Sequence, residues 1–370
     1  MTSPSPTTPP LDDRHALQAQ FLTEIGWQDA RLEPVTGDAS SRSYARLRKG
    51  KTRALLMSAP PAAETAACPP AATEEDRRAL GYNAMARLAG PNLNAFSSIA
   101  DALRKAGLSA PEVFHADPET GFALIEDLGD DLYARAVPAG ADEETLYSAA
   151  IDALLALRRA APTVAAGDAY TMQTYDLLAM EAEVLLLAEW YVPFKTGKAL
   201  PPEAFETYRQ TWREILFSLP APGQMVLRDF HAENLLWLPD RAGVGRVGMI
   251  DFQDGLIGHP AYDVVSLLED ARRDVSHDLA EAMVARYCSG AKEDHKFFED
   301  VQFRAEYALL GAQRNAKILG IFARLIIRDG KPRYKDFLPR VEAHFRTDLH
   351  QPALRPVASL MTKLLPDLVQ

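Results

Sequence analysis

The sequence is poor in cysteine and has no paired metal-ligand motif. Its 370 residues include only two cysteines, Cys68 and Cys288, and no CxxC pair. A disulfide-stapled scaffold is therefore excluded and structural zinc is disfavoured, and we expect a reducing compartment, the cytoplasm. None of the eight histidines belongs to an HxH or HExxH pair, which argues against catalytic zinc as well.

Positive charge and long apolar runs are also scarce. Lys and Arg number 40 against 51 Asp and Glu, a net charge of -11. A chain this acidic repels phosphate backbones and anionic lipids, so we expect neither nucleic acid nor a membrane as a partner. The apolar runs are short, such as residues 184–188, and the first ten residues lack the apolar core of a secretory signal. We expect a small-molecule substrate; the sequence does not set the oligomeric state, and a monomer is the expectation.

What is present indicates an ordinary globular protein of about two domains, with 47% hydrophobic and 25% charged residues. Residues 1–10 carry four prolines and are expected to form a disordered tail. Strand-like segments dominate residues 31–57 and 112–126, and helical periodicity dominates after residue 143. The pattern predicts an α+β protein with a small β-rich N-terminal lobe, residues 11–128, and a larger, mainly helical C-terminal lobe, residues 129–370.

The individual elements follow from the same periodicities. Three N-terminal strands are predicted at 31–34, 42–48 and 54–57, the last two joined by the polar turn Lys49-Gly50-Lys51. A β island at 225–227, 234–238 and 246–252 interrupts the C-terminal helices. The Pro- and Ala-rich residues 58–72 predict a loop. Helices are predicted at 14–25, 76–88, 96–106, 143–159, 173–191, 202–218, 262–273, 277–288, 301–328 and 334–345.

The β island holds the pattern that indicates chemistry. Asp229 is followed five residues later by Asn234, and a strand, a turn and a second strand lead to Asp251. In phosphoryl transfer one carboxylate orients the acceptor hydroxyl and takes its proton, while an amide oxygen and a second carboxylate hold Mg²⁺. The Asp–Asn spacing alone arises easily by chance. The apolar strands on both sides, which return the chain to its starting edge, favour the catalytic interpretation.

These residues resemble the aminoglycoside phosphotransferase-like kinases, relatives of protein kinases, and the resemblance covers nearly the whole chain after the tail. It implies a two-lobed protein-kinase-like fold, ATP as donor and Mg²⁺ as cofactor. It also implies that Asp229 is the catalytic base and that Asn234 and Asp251 are the metal ligands.

The resemblance places the nucleotide in the N-terminal lobe. The polar stretch Gly37-Asp38-Ala39-Ser40-Ser41-Arg42 lies between strands, where kinases place the loop over the phosphates, so Ser40, Ser41 and Arg42 are expected to contact the nucleotide. Residues 124–129 resemble the hinge, and Glu126 and Leu128 are expected to meet adenine through main-chain atoms.

Two departures from the family pattern bear on the mechanism. No lysine lies on the strand at 54–58, where the family has its nucleotide-binding lysine, and Arg42, Arg46 or Lys51 is expected to substitute. The family usually has His-Gly before the catalytic Asp, where this chain has Leu227-Arg228. Arg228 either pairs with an acidic neighbour, the favoured interpretation, or meets an anionic substrate group. Asp263 is expected to brace the catalytic loop.

The finer resemblance is to the bacterial anomeric kinases that act on N-acetylmuramate and N-acetylglucosamine in cell-wall recycling. It rests on the loop Arg-Asp-Phe-His-Ala-Glu-Asn before Ile-Asp-Phe-Gln-Asp, on Gly37-Asp38-Ala39-Ser40 with Ala59-Pro60-Pro61, and on the late helix at residues 313–325. A kinase for an aminoglycoside or an amino alcohol, and a nucleotide-binding pseudokinase, stay open as alternatives. The candidate acceptor contacts are His231, Glu233, Gln253, Asp254, Arg314 and Asn315.

Overall fold

A five-stranded antiparallel sheet forms the N-terminal part of the molecule. Its strands are β1 (Arg31–Val35), β2 (Ser43–Lys49), β3 (Thr52–Ser58), β4 (Val113–Asp117) and β5 (Phe122–Ile125), in the order β1-β2-β3-β5-β4. The computed structural model describes residues 11–35, 42–61, 68–162, 164 and 169–369. The predicted tail at 1–10, Ser40, Ser41 and part of the predicted loop at 58–72 lie outside the described residues.

The two faces of this sheet are covered by different parts of the chain, because side chains alternate along a strand. On one face, Leu56 and Phe122 pack with Phe21 of helix α1 (Leu11–Glu24). On the other face, Met57 joins the main hydrophobic core, to which Ile99 of helix α4 (Leu93–Lys105) also belongs. That core continues without a break into the C-terminal helices, so the sheet is held firmly against them.

The rest of the chain is mainly helical. A π-helical turn, Leu187–Tyr191, joins α7 to α8, and single 3₁₀ turns lie at Gly243–Arg246, Pro332–Phe337 and Pro352–Leu354. Besides α1 and α4, the helices are α2 (Glu74–Leu80), α3 (Tyr82–Met85), α5 (Tyr133–Ala136), α6 (Glu143–Ala160), α7 (Leu177–Leu186), α8 (Val192–Thr196), α9 (Pro202–Phe217), α10 (Ala261–Leu268), α11 (His277–Asp294), α12 (Asp300–Ile327), α13 (Leu338–Asp348), α14 (Arg355–Leu364) and α15 (Pro366–Val369).

Helix α12 is the central element of this helical part, and it packs against α7, α10 and α13. Gly320 lets α12 approach α7 closely, since a Cβ atom there would lie 2.3 Å from a backbone atom of Leu186. Two short antiparallel pairs, β6 (Gln224–Val226) with β9 (Leu256–Gly258) and β7 (Leu235–Trp237) with β8 (Val247–Met249), lie between the sheet and these helices. Within the described part of the chain, no helix is long and apolar enough to cross a bilayer.

The structure confirms the α+β class and the three N-terminal strands, and it corrects several helix bounds. The predicted helix at 76–88 is broken at Gly81, whose φ of 95° ends α2. The helix predicted from 173 begins only at Leu177, after Asp176 caps its N-terminus. The helix predicted to end at 273 stops at Leu268, and the one predicted at 334–345 begins as a 3₁₀ turn. The boundary between lobes at residue 128 stays a prediction.

Candidate active site

The loop at residues 227–234, between β6 and β7, is fixed by a buried carboxylate of α10. Asp263 accepts hydrogen bonds from the backbone N–H groups of Leu227, at 2.7 Å, and Arg228, at 2.9 Å. Arg228 has a φ of 67°, a conformation that costs free energy outside glycine and persists only where its surroundings hold it. The predicted bracing role of Asp263 is therefore confirmed, and the loop presents Asp229 in one orientation.

Glu183 of α7 lies at the centre of a buried polar cluster beneath this loop. Its carboxylate pairs with the guanidinium of Arg228 and with Lys317 Nζ, at 3.0 Å. It also accepts hydrogen bonds from the Tyr175 hydroxyl and from Gln313 Nε2, the latter at 2.9 Å. Glu183 is fully buried and Arg228 is 1% exposed. Arg228 therefore forms the ion pair that the sequence favoured.

The pKa of Glu183 follows from this arrangement. Burial alone would raise the pKa, but Lys317 and Arg228 outweigh it and leave the pKa below the usual value of a glutamate. The carboxylate is therefore charged at neutral pH. We call Glu183, Arg228, Lys317, Tyr175 and Gln313 the Glu183 cluster.

Asp229 is half-buried and faces the cluster from the catalytic loop. Burial would raise the pKa of its carboxyl, but nearby positive charges, with Lys317 the largest, outweigh burial and hold the pKa below its usual value. Its side chain makes no hydrogen bond to any residue that the structure describes. Asp229 is thus an ionised carboxylate with free acceptor capacity, as the proton acceptor of a hydroxyl must be.

The β7–β8 pair brings Asn234 and Asp251 to one side of the loop. Leu235 pairs with Met249, and the N–H of Ile250 donates to the Asn234 carbonyl at 3.0 Å, so Asp251 follows directly beside Asn234. Asn234 Nδ2 donates to the Asp229 carbonyl at 3.0 Å, which fixes the amide and leaves its Oδ1 as the outward acceptor.

Asp251 is surrounded by protein atoms, yet solvent reaches its carboxylate. Its side chain is 46% exposed, and its Oδ1 accepts from Gln253 Nε2 at 2.9 Å. Its φ of 58° is a second left-handed backbone conformation in the site. Burial and the nearby charge of Asp229 raise the pKa of Asp251.

These groups fit a magnesium ion. The Asn234 amide oxygen and the Asp251 carboxylate are hard oxygen donors, and Mg²⁺ binds through one or two carboxylates and the substrate phosphates. The carboxylate repulsion that raises the pKa of Asp251 is also what a divalent cation would relieve.

Arg42, directly before β2, is a cation that reaches Asp251 from the sheet. Its Nη1 lies 3.2 Å from Asp251 Oδ1 and its Nη2 donates to the Gly90 carbonyl at 2.7 Å. Of the other cations that could substitute for the missing lysine, Arg46 is occupied by Asp127, at 2.7 Å, and Asp130, at 3.0 Å. Lys51 lies in the exposed hairpin turn. Strand β3 carries no lysine, as the sequence indicated.

The predicted hinge leaves two main-chain groups available. The N–H of Glu126 donates to the Glu112 carbonyl at 2.8 Å, and its carboxylate pairs with Arg241 and Arg104, at 2.5 and 3.4 Å. Among the described residues, the Glu126 carbonyl and the Leu128 N–H make no hydrogen bond. The Glu126 carbonyl and the Leu128 N–H are therefore available for the predicted hydrogen bonds to adenine. The Glu126 N–H is already used by the Glu112 carbonyl.

Two predicted acceptor residues lie directly beside the proposed metal ligands. His231 is buried, and burial lowers the pKa of its imidazole to about 4, so the ring is neutral. Its Nε2 lies 3.4 Å from Asn234 Nδ2, and its Nδ1 has no partner in the described part of the chain. Gln253 is also buried, and its Oε1 is likewise unpaired there.

Three other predicted acceptor residues are occupied within the protein. Glu233 pairs with Arg272 at 3.2 Å. The Asp254 carboxylate accepts from the Ala89 N–H at 2.6 Å. Asn315 is fully buried and donates to both Glu269, at 2.6 Å, and Asp348, at 3.0 Å. Their assignment as acceptor contacts stays a prediction.

Sequence reasoning named Arg314 on α12 but missed Lys317. The two cations are three residues apart, so they share one face of the helix, and both act electrostatically on Asp229. That spacing was the signal that could have identified Lys317. Arg314 is 4% exposed, and its one hydrogen bond to a described residue runs from Nη1 to the Glu269 carbonyl at 3.4 Å.

Comparison with known proteins gives consistent matches. The model of the phosphotransferase enzyme family, APH, matches residues 31–298. A curated N-acetylmuramate/N-acetylglucosamine kinase of Caulobacter vibrioides is 44% identical over 359 residues, 96% of this chain and 97% of the relative. A protein of the same name from Pseudomonas aeruginosa is 32% identical over 359 residues, 95% of this chain and 93% of the relative.

The fold has its counterpart among solved structures. The crystal structure of a choline/ethanolamine kinase family protein from Mesorhizobium loti superposes with a TM-score of 0.54 at 16% identity, covering 94% of this chain and 98% of that one. The likeness confirms the predicted kinase-like fold.

Proposed function

The chain belongs to the APH phosphotransferase enzyme family, and on that premise we propose that it phosphorylates the anomeric hydroxyl of N-acetylmuramate, N-acetylglucosamine or both, with ATP as donor. The relative from C. vibrioides, which carries the names of both sugars, matches over nearly the whole length of each chain. The observation within the molecule that carries the proposal is the grouping of Asp229, Asn234 and Asp251 by the catalytic loop and the β7–β8 pair, with Asp229 ionised and free to accept a proton.

Asp229 orients the acceptor hydroxyl and takes its proton as the oxygen attacks the terminal phosphorus of ATP. The rigid loop supports this role, because Asp263 and the Glu183 cluster hold the backbone on the N-terminal side of Asp229. Asn234 and Asp251 would hold Mg²⁺, which when bound neutralises charge on the phosphates.

Arg42 is the residue best placed to bind the nucleotide phosphates. Its guanidinium lies against Asp251 and is tied to Gly90, whereas Arg46 is held by the hinge. The Glu126 carbonyl and Leu128 N–H would meet adenine, and Ser40 and Ser41 complete the proposed phosphate contacts. Because ATP is the donor, we place the enzyme in the cytoplasm, as a monomer that acts on a small molecule.

His231, Gln253 and Arg314 are the proposed acceptor contacts. Each is buried beside the catalytic loop, and His231 and Gln253 have polar atoms without a partner in the described residues. A buried polar atom without a partner is costly, so such atoms indicate a site that is completed by a ligand. Glu233, Asp254 and Asn315 receive less support because their side chains are already occupied.

The test is ATP consumption by the purified protein with Mg²⁺ against N-acetylmuramate, N-acetylglucosamine, kanamycin, choline and homoserine. The position of the new phosphate is read by ³¹P NMR. We expect a sugar 1-phosphate from one or both amino sugars. Turnover of only one of the other compounds would assign the enzyme a different class of acceptor. If no compound is turned over while nucleotide still binds, the result would support a pseudokinase instead.

A further inference from the structure

Arg314 is a buried cation that lacks a carboxylate partner in the described part of the chain. Its guanidinium carries five N–H donors, and one of them makes a hydrogen bond there, a long one of 3.4 Å to the Glu269 carbonyl. Removing a charge from water without pairing it is expensive. The unused N–H donors of Arg314 are therefore available to an anion that brings its own charge.

The neighbouring cation on the same helix shows the contrast. Lys317, one turn along α12, is 3.0 Å from Glu183 and 3.4 Å from the Tyr262 hydroxyl, so its charge is compensated inside the protein. Asp229, Asp263 and Glu269 are near enough to interact electrostatically with Arg314, but no carboxylate in the described part of the chain forms an ion pair with its guanidinium. The two residues reach the same catalytic loop, and one of them remains available.

Glu269, whose main-chain carbonyl accepts the hydrogen bond from Arg314, has its carboxyl group engaged with other side chains. Glu269 and Asp348 are hydrogen-bonded to one another, and burial raises the pKa of both carboxyl groups. Two carboxyl groups can share a hydrogen bond only if one of them keeps its proton. Asn315 donates to both. Arg314 lowers the pKa of Glu269 electrostatically and donates to its main-chain carbonyl, but it forms no ion pair with the Glu269 carboxyl group.

Arg314 belongs to the surroundings of the catalytic loop, since it acts electrostatically on Asp229, His231 and Asp263. It lies on α12, whereas Arg42, the proposed phosphate ligand, pairs with Asp251. Because Arg42 already provides a cation for the nucleotide phosphates, we assign an anion that meets Arg314 to the acceptor.

We infer that Arg314 binds the carboxylate of an anionic acceptor sugar, and that it thereby sets the preference for N-acetylmuramate over N-acetylglucosamine. This inference rests on the proposed function. N-acetylmuramate is N-acetylglucosamine with a lactyl ether at O3, so a carboxylate is the one group that separates the two acceptors. The planar fork of a guanidinium binds a carboxylate through two parallel hydrogen bonds.

The experiment measures kcat and KM for both sugars at saturating MgATP in the wild type, Arg314→Gln and Arg314→Lys. The methyl ester of N-acetylmuramate is a third acceptor, which removes the charge from the substrate instead. The control is Arg304→Gln, because Arg304 lies on the same helix but its side chain is 42% exposed and pairs with Glu281.

For Arg314→Gln we expect kcat/KM for N-acetylmuramate to fall by roughly 30- to 1000-fold, mainly through KM, the range for losing one partner of a buried charge pair. The values for N-acetylglucosamine and for the ester should fall by a smaller factor, which reports the effect of Arg314 on Asp229, so that the ratio of kcat/KM between N-acetylmuramate and N-acetylglucosamine falls by roughly 10-fold or more. For Arg314→Lys, kcat/KM for N-acetylmuramate should lie between the values of the wild type and of Arg314→Gln. For Arg304→Gln it should match the wild type. Calorimetric titration of each sugar should show the same selective loss in affinity.

An equal loss for both sugars would overturn the inference and point instead to contact with the transferred phosphoryl group. Wild-type values of kcat/KM for both sugars in Arg314→Gln would overturn it too. A misfolded variant would lose both activities and its calorimetric nucleotide binding, so the retained N-acetylglucosamine turnover is the internal check. If the wild type phosphorylates neither sugar, the proposed function fails; if it phosphorylates only N-acetylglucosamine, this inference alone fails.

Discussion

Replacing Glu183 by Gln tests whether the buried charge cluster beneath the catalytic loop is held by its single anion. The substitution keeps the size of the side chain but removes the anion that forms ion pairs with Arg228, 1% exposed, and with Lys317. Breaking a buried pair by removing one partner costs about 3–5 kcal/mol. We expect the free energy of unfolding of Glu183→Gln to fall by about that amount.

The same helix supplies a matched control. Glu181 is also fully buried and pairs with three arginines, but those arginines, Arg78, Arg209 and Arg213, are 28–42% exposed. When their partner is lost, water solvates them. Glu181→Gln should therefore cost about 1 kcal/mol, in the range of an exposed ion pair.

Urea unfolding followed by tryptophan fluorescence gives the free energy of each variant, provided that the m-values agree. The pH dependence supplies an independent check. Because the folded state lowers the pKa of Glu183, its carboxylate contributes stability that is present above the unfolded pKa, about 4.3, and is lost as the pH falls through the folded pKa. The difference between wild type and Glu183→Gln should shrink in acid. Equal costs for the two variants at pH 7 would refute the reasoning.

Three further predictions concern the reaction centre. Asp229→Asn should lower kcat by about 10²- to 10⁴-fold, the usual contribution of a general base, while nucleotide affinity in a calorimetric titration stays the same; near-normal turnover would remove Asp229 from that role. Asp251→Ala should abolish the Mg²⁺ dependence of nucleotide binding, and an unaltered Mg²⁺ titration would speak against Asp251 as a ligand. Arg42→Met should raise the KM for ATP about 10- to 100-fold, whereas Arg48→Gln, on the exposed end of the same strand, should leave it unchanged; equal effects would show that β2 is merely damaged.

The sequence predicted those parts of the site that lie close together along the chain. Asp229, Asn234 and Asp251 are joined by one short hairpin, so their spacing and the flanking apolar strands suffice to bring them together. The strands of the N-terminal sheet were predicted for the same reason. Their side chains alternate locally, and β2 and β3 are joined by a local turn in which Gly50 has a φ of 61°.

The Glu183 cluster could not be predicted in this way. Glu183 is 45 residues from Arg228 and 134 from Lys317 along the chain. In addition, the sequence of a helix does not distinguish a buried glutamate from an exposed one. Arg314 and Asn315 show a second limit. Adjacent residues on a helix point about 100° apart, so two neighbouring side chains contact different parts of the protein. Asn315 meets Asp348, whereas Arg314 approaches the catalytic loop.

The ion pair between Arg228 and Glu183 also bears on how such an enzyme can be controlled. Arg228 occupies the arginine position of the sequence His-Arg-Asp-x₄-Asn, in which protein kinases place their catalytic loop. Protein kinases order their activation loops through arginine pairs with a phosphorylated residue. Here an internal glutamate permanently occupies the guanidinium, which is 1% exposed, so no phosphorylated segment can reach it. The conformation of the loop is therefore set when the chain folds.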